Sequence, residues 1–437
     1  MNVLIRGASV VTAQGVYAAD VGLADGRIAA IGTALPLTGW RDVVEADGLH
    51  LMPGLIDPHV HFNEPGRTEW EGLETGSRAL AAGGITSFID MPLNSSPPVV
   101  TAAALRAKQS LIAQKSLVNG YCWGGLVPGH LDDLADMHMA GARGFKAFMS
   151  HSGIDEFPAA DDYTLYEGMR RIQRLGSLLA VHAENDAITA GLARVLRAAG
   201  PGSPQDYVTS RPTVAELEAV TRALLLAEQT GCSLYVVHTT SASAVAAILG
   251  ARARSVDVTC ETCPHYLTLT EADLARLGPA AKCAPPLRSA AEQAALWACV
   301  LRGEVQVIAS DHSPSPPHMK ESGDFFAVWG GIAGCQSTLP LLLTEGHFRR
   351  ELSLSQIVAM TSTQVARRFR LAGKGRIEVG ADADVILVDV NAEFVLKAED
   401  LYYRHQYSPY TGMTLRGRIM RTYVGGRMVY HEGTIYE

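Results

Sequence analysis

No stretch of the 437-residue chain is apolar for long enough to span a bilayer, which takes roughly 18 to 20 residues. The opening "MNVLIRGASVV" has no charged segment ahead of a long apolar one, so it reads as a strand and not as a signal peptide. Basic residues are not in excess: 37 Lys and Arg stand against 45 Asp and Glu, mixed along the chain, for a net charge of −8. That balance argues against nucleic acid as a main partner. Lysine is scarce, with only Lys108, Lys115, Lys146 and Lys282 before residue 300. The seven cysteines are odd in number and scattered, as expected for reduced thiols in a cytoplasm. Cys260 and Cys263 form a C-x-x-C, but no second pair follows at zinc-finger spacing, so neither a redox pair nor a structural zinc site is expected. Low-complexity segments are absent too.

What is present is a core-forming composition, 47% hydrophobic and 19% charged, in a chain long enough for a large domain with additions. Both ends look all-β. "NVLIRGASVVT" and "ADVGLADGRIAAIG" are short β-branched runs joined by Gly and Asp-Gly turns, and "ADADVILVD" and "LRGRIMRTYVGGRMVY" return to that texture. They predict a small β-sandwich built from both termini, residues 1–51 plus 371–437. Residues 52–370 alternate short apolar runs with stretches of helical length. The predicted strands are "GLIDPHV", "ITSFID", "VNGYCWGGLV", "GFKAFM", "LLAVHAE", "SLYVVHTT", "VDVTCETC" and "VQVIASD". Helical candidates such as "EWEGLETGSRALAAG" and "TVAELEAVTRALLLAEQTG" lie between them. This rhythm predicts an α/β protein with a (β/α)₈ TIM-type barrel; a doubly wound sheet is the alternative.

The ends of those strands carry an unusual set of polar residues. His59 and His61 close the first one, and residues i and i+2 of a strand point to the same side. Taken alone they could be ordinary loop histidines or a metal pair. Lys146 lies inside "GFKAFM", between Phe145 and Phe148, where a bare ammonium is costly. His182 ends "LLAVHAE", His238 ends "LYVVHTT", and Asp311 ends "VQVIASD". Five strand ends with such residues mark the face on which barrel active sites sit. Two divalent ions need neutral imidazoles and anionic bridges. Lys146 fits only if it reacts with carbon dioxide, since the carbamate is anionic and offers one oxygen to each ion. An apolar site lowers a lysine pKa and so favours the neutral amine this needs. Water held between the ions falls from a pKa of 15.7 towards about 7, and Asp311 can take its proton.

The marks "GLIDPHVHFNEPGRTEWEG", "GGITSFIDMPLN", "GFKAFMSHSGIDEFP", "VHAEN", "VHTTSASAV", "ETCPHYLTLT", "KCAPPLR", "SDHSP" and "GGIAGCQSTLPLLL" run through nearly the whole chain. They resemble the cyclic amidohydrolases of the amidohydrolase superfamily, and among these the allantoinases. The resemblance implies that His59 and His61 bind the more buried metal. It implies that Lys146 is N6-carboxylated and bridges both ions, and that His182 and His238 bind the second. Asp311 would complete the first site and act as base and then acid. Two Zn²⁺ ions per subunit are implied, with Co²⁺, Mn²⁺ or Fe²⁺ as alternatives, and a homotetramer in the cytoplasm.

For the substrate, similar dihydroorotases carry an arginine where this chain has Asn63 and an asparagine where it has Leu93. Those groups hold a ring carboxylate there, and both are missing here. Hydantoinases and dihydropyrimidinases have a tyrosine shortly after the bridging lysine, where this chain reads "SHSGIDEF". His151 and Ser152 suit a ureido substituent, and Cys283 lies in a stretch whose backbone meets the ring in hydantoinases. The expected reaction is opening of the hydantoin ring of allantoin to allantoate by a metal-bridged hydroxide, in purine degradation. A hydantoinase or dihydropyrimidinase is the alternative; a dihydroorotase, or a non-catalytic dihydropyrimidinase-like scaffold that has lost its ligands, fits less well. His312, pointing the other way from Asp311, and His265 are expected to be supporting residues.

Overall fold

The computed structural model describes residues 2–437. Its centre is a parallel barrel, the (β/α)₈ architecture that the alternation predicts. Strands Leu55–Val60 and Ile85–Asp90 are buried at every position, as expected where both faces of a parallel sheet are covered. One parallel sheet runs from Leu55–Val60 through Ile85–Asp90 to Asn119–Cys122. A second runs from Gly124–Gly125 through Phe145–Phe148, Leu178–His182, Ser233–Val236 and Val258–Thr262 to Val307–Ile308. The ring closes where Val60 bridges His312 in parallel and the His61 amide donates to the His312 carbonyl at 2.8 Å.

The helices follow from local sequence. Thr213–Thr230 buries Ala215, Ala219, Val220, Ala223, Leu224 and Ala227, an i, i+3, i+4 stripe. It stops at Gly231, whose φ of 70° no β-branched residue would accept cheaply. Ala102–Lys115 starts at Thr101, whose hydroxyl accepts from the Ala104 amide.

Several predicted strands come out shorter, among them "SLYVVHTT", which is regular only over Ser233–Val236. The run 118–127 splits around Trp123, whose indole N–H donates to the Pro58 carbonyl at 2.8 Å and so faces the first strand. The run 305–311 is regular only over Val307–Ile308, and the backbone turns to a φ of 45° at Asp311.

Strands from both chain ends join in one nine-stranded sheet. Thr434–Ile435, Arg427–His431, Thr414–Val424 and Val385–Val395 lead into His50–Pro53, which is followed by Asn2–Thr12, Gly15–Ala24 and Arg27–Gly32, while the ninth strand, Asp42–Glu45, pairs in parallel with Asn2–Thr12 off this path. Its own core gathers Val3, Ile5, Val10, Leu23, Leu51, Val385 and Leu387. Since His50–Pro53 runs almost directly into Leu55–Val60, this sheet fixes where the first barrel strand begins.

Candidate metal centre

Four polar residues near the strand ends adopt a positive φ that only glycine takes freely: Asn63, Asn94, His238 and Asp311. Such strain persists where surrounding structure holds it, and it concentrates at functional sites. Here it turns Asp311 towards the first strand. Its Oδ1 lies 3.1 Å from Nε2 of His59 and 3.3 Å from Nε2 of His61. One donor atom from each of the three falls within 4.8 Å of the others. The alternate-residue reading of His59 and His61 thus holds: both rings serve the same side.

The other expected ligands adjoin this trio through ring contacts. His238 lies 5.5 Å from the His59 ring and 4.6 Å from the His182 ring, centroid to centroid. Phe148 stacks on His182 at 4.6 Å. The Lys146 Nζ sits 4.9 Å from the centre of that phenyl ring, buried and without any hydrogen-bond partner. Burial lowers its ammonium to about 7. An unpartnered buried amine beside these imidazoles is the kind of orphaned polar atom a metal centre would engage, and the trio His59, His61 and Asp311 could hold a cation.

Electrostatics sort the imidazoles. Burial lowers His61 and His182, and lowers His238 well below the ordinary value, so these rings are neutral and have lone pairs to offer. His59 differs: burial alone would lower it, but Asp311 and Glu261 outweigh that and raise it to about 9. A proton there stands where a cation would, between two carboxylates. Asp311 itself would be raised by burial, yet His59 and His61 hold it well below the usual carboxylate range.

Buried carboxylates that the sequence reading passed over orient the set. Glu261 takes Nδ1 of His59 at 2.8 Å, the Tyr235 hydroxyl at 2.7 Å and the His238 amide at 3.0 Å. Glu184 meets Nε2 of His182 at 2.8 Å and pairs with Arg211. Asp57 accepts from the amides of His59 and Ser310. A lone acidic residue in a short strand that is otherwise without carboxylates was the available signal for Glu261, in "VTCET", and for Asp57, in "LIDPHV". His312 does point away from Asp311's partners: its Nδ1 accepts from the Gly334 amide, and its ring packs against Phe62 and Tyr403.

A cleft of about 440 Å³ opens nearby, lined by His151, Ser152, Tyr207, Arg211, Lys282 and Trp329 among others. Arg211 connects it to the ligand set through Glu184. His151 is exposed at its rim. The Ser152 hydroxyl donates to its own loop, at 2.6 Å from the Phe157 carbonyl, which leaves it lone pairs but no free proton. Cys283 is buried, and its carbonyl accepts from the Tyr207 hydroxyl at 2.9 Å. A larger cavity, about 860 Å³, lies at the opposite end of the barrel, where Leu178, Ser233 and Val258 begin their strands, away from this chemistry.

Residues 50–429 match the amidohydrolase family. The chain is 54% identical to an allantoinase of Solibacter usitatus over 99% of its own length and 94% of the relative's. It is 51% identical to an allantoinase of Rubrobacter xylanophilus, over 99% and 95%. Among solved structures, an L-hydantoinase (dihydropyrimidinase) from Arthrobacter aurescens superposes with a TM-score of 0.97 at 35% identity, covering 100% of this chain and 97% of that one.

Proposed function

The chain belongs to the amidohydrolase family, and from that premise we infer that it hydrolyses the hydantoin ring of allantoin to allantoate. It is a metal-dependent hydrolase of cyclic amides. The observation that carries the reading to this chain's own residues is the convergence of His59, His61 and Asp311 within 4.8 Å beside the unpartnered Lys146 amine. The hydantoinase alternative is weaker, because full-length relatives at 40 to 54% identity are allantoinases while the hydantoinase structures reach 35%.

We propose that His59, His61 and Asp311 hold one ion, that His182 and His238 hold a second, and that Lys146 bridges them. Its neutral amine adds to carbon dioxide, forming an N–C bond and releasing a proton. Two divalent ions, zinc by preference, supply Lewis acidity and a water acidic enough to attack at neutral pH. Asp311 does the proton work: it takes a proton from the attacking water and passes it to the imide nitrogen as the ring bond breaks. It is suited to this as the one of the six that is partly open to solvent. Glu261 and Glu184 hold the imidazoles of His59 and His182 in place.

On the substrate side, Asn63 and Leu93 give no positive group for a ring carboxylate. His151 and Ser152 are proposed to meet the ureido end, and the Cys283 backbone the ring. We further propose that residues 1–51 plus 371–437 form one domain and 52–370 the other, and that the enzyme is a cytoplasmic homotetramer. Seven free, buried cysteines support a reducing compartment; among the described residues no helix is long and apolar enough to cross a membrane. The direct test is product analysis: allantoin incubated with zinc-loaded protein yields allantoate, one water heavier, and unchanged allantoin would refute the assignment.

A further inference from the structure

Next to Asp311 stands a second set of donors for which the reaction has no use. Cys263 and His265 follow the strand Val258–Thr262, at the start of the short helix Pro264–Thr268. One donor atom each from Cys263, His265 and Asp311 lies within 4.8 Å of the others. Cys263 is a free thiol with no exposure, and His265 is 1% exposed. Neither ring nitrogen of His265 has a hydrogen-bond partner. A buried imidazole without a partner is a costly arrangement that calls for an explanation. Its neighbour Tyr266 does not supply one, since that hydroxyl donates to the Pro285 carbonyl at 2.7 Å.

We propose that Cys263, His265 and Asp311 form a separate binding site for a thiophilic divalent ion, Cd²⁺ or Zn²⁺ in excess, and that filling it inhibits the enzyme. The donor set decides the class of ion. A thiolate and an imidazole favour zinc-like and softer metals over Mg²⁺ or Ca²⁺. Around a tetrahedral ion with bonds of about 2.0 to 2.3 Å, donors stand roughly 3 to 4 Å apart, so the observed spacing closes with small side-chain shifts. Binding breaks the S–H bond of Cys263, forms a sulfur–metal bond and releases the proton to solvent, with no change of oxidation state. Entry is by way of Asp311, whose side chain keeps 13% exposure. Once Asp311 is shared with this ion, its carboxylate is drawn away from the place it holds against His59 and His61.

The inhibition rests on the role given to Asp311 above; the binding does not. Cadmium chloride titrated into the zinc-loaded enzyme therefore serves as the probe. The expected result is a near-ultraviolet thiolate-to-cadmium charge-transfer band that saturates at one equivalent, with allantoin turnover falling in parallel. Ions held by His59, His61, Lys146, His182 and His238 give no such band, having no sulfur. Cys263→Ser should lose the band, keep its cadmium-free turnover within about twofold, and need at least tenfold more cadmium for half inhibition. Cys260→Ser should behave as wild type. His265→Asn should weaken both band and inhibition, and it carries the test if Cys263→Ser fails to fold. No band in the wild type, or a band and inhibition unchanged in Cys263→Ser, overturns the proposal. Absent allantoin turnover before cadmium is added, with the band intact, would instead count against the assigned reaction.

Discussion

Glu261 accepts a 2.8 Å hydrogen bond from Nδ1 of His59, with both side chains almost wholly buried. This contact fixes the tautomer and points Nε2 at Asp311. It also predicts a specific defect. In Glu261→Gln the amide can turn only one oxygen to its partners, while Tyr235 and the His238 amide also need an acceptor. Metal affinity should drop about 10- to 100-fold, the usual effect of losing such a support. Chelator competition reads this directly, and added metal should recover much of the lost turnover.

Asp311→Asn should retain the fold and lose turnover. The amide still offers an oxygen but accepts no proton. General acid–base catalysis is commonly worth about 10² to 10⁴ in rate, and any weakened metal binding adds to the loss. Steady-state rates with allantoin check it; a variant within tenfold of wild type means another group moves the proton.

Lys146→Ala should lose both metal and activity, and acetate, formate or bicarbonate should restore part of each by occupying the space of the carbamate. An ammonium between two divalent ions would repel both, and the buried amine, lowered to about 7, is ready to react as the neutral form. Native mass spectrometry of the wild type should find the carboxyl group on this residue. A bare amine in active, metal-loaded enzyme would rule out the bridge.

The Glu184 carboxyl gives a pH dependence with a definite sign. Burial alone would raise it, but Arg211 and His182 outweigh that and hold it at about 2, against 4.5 in the unfolded chain. A depressed carboxylate contributes stability that is complete above pH 4.5 and is lost as the pH falls towards 2. At about 1.4 kcal/mol per pH unit this is on the order of 3 kcal/mol. Denaturant unfolding with chelator present should show the gap between wild type and Glu184→Gln narrowing across that window. A gap that stays constant contradicts the ion pair's importance.

Much of the site was legible in the sequence because strand periodicity is strict. His59 and His61, one residue apart at the end of an apolar run, had to share a side, and both now face Asp311. Lys146 was legible for a different reason, an ammonium with nowhere to go. Glu261 and Glu184 were not read out, since their partners are fixed by the fold and not by spacing: Glu261 meets a histidine 202 residues away. Ser152 looked available for a ligand by composition, but its proton serves the Phe157 carbonyl, a local turn contact that a polar cluster does not disclose. The short extent of the strand before Asp311 leaves no mark in residue type, since "VQVIAS" is as apolar as its longer neighbours.

This barrel is expected to open the allantoin ring in preference to related cyclic amides. The preference is read from kcat/KM for allantoin, hydantoin, dihydrouracil and dihydroorotate on the same zinc-loaded preparation. Allantoin should be turned over best, and dihydroorotate poorly, since Asn63 and Leu93 offer its carboxylate no cation. Faster turnover of hydantoin or dihydrouracil than of allantoin would contradict the account and make the enzyme a hydantoinase or dihydropyrimidinase.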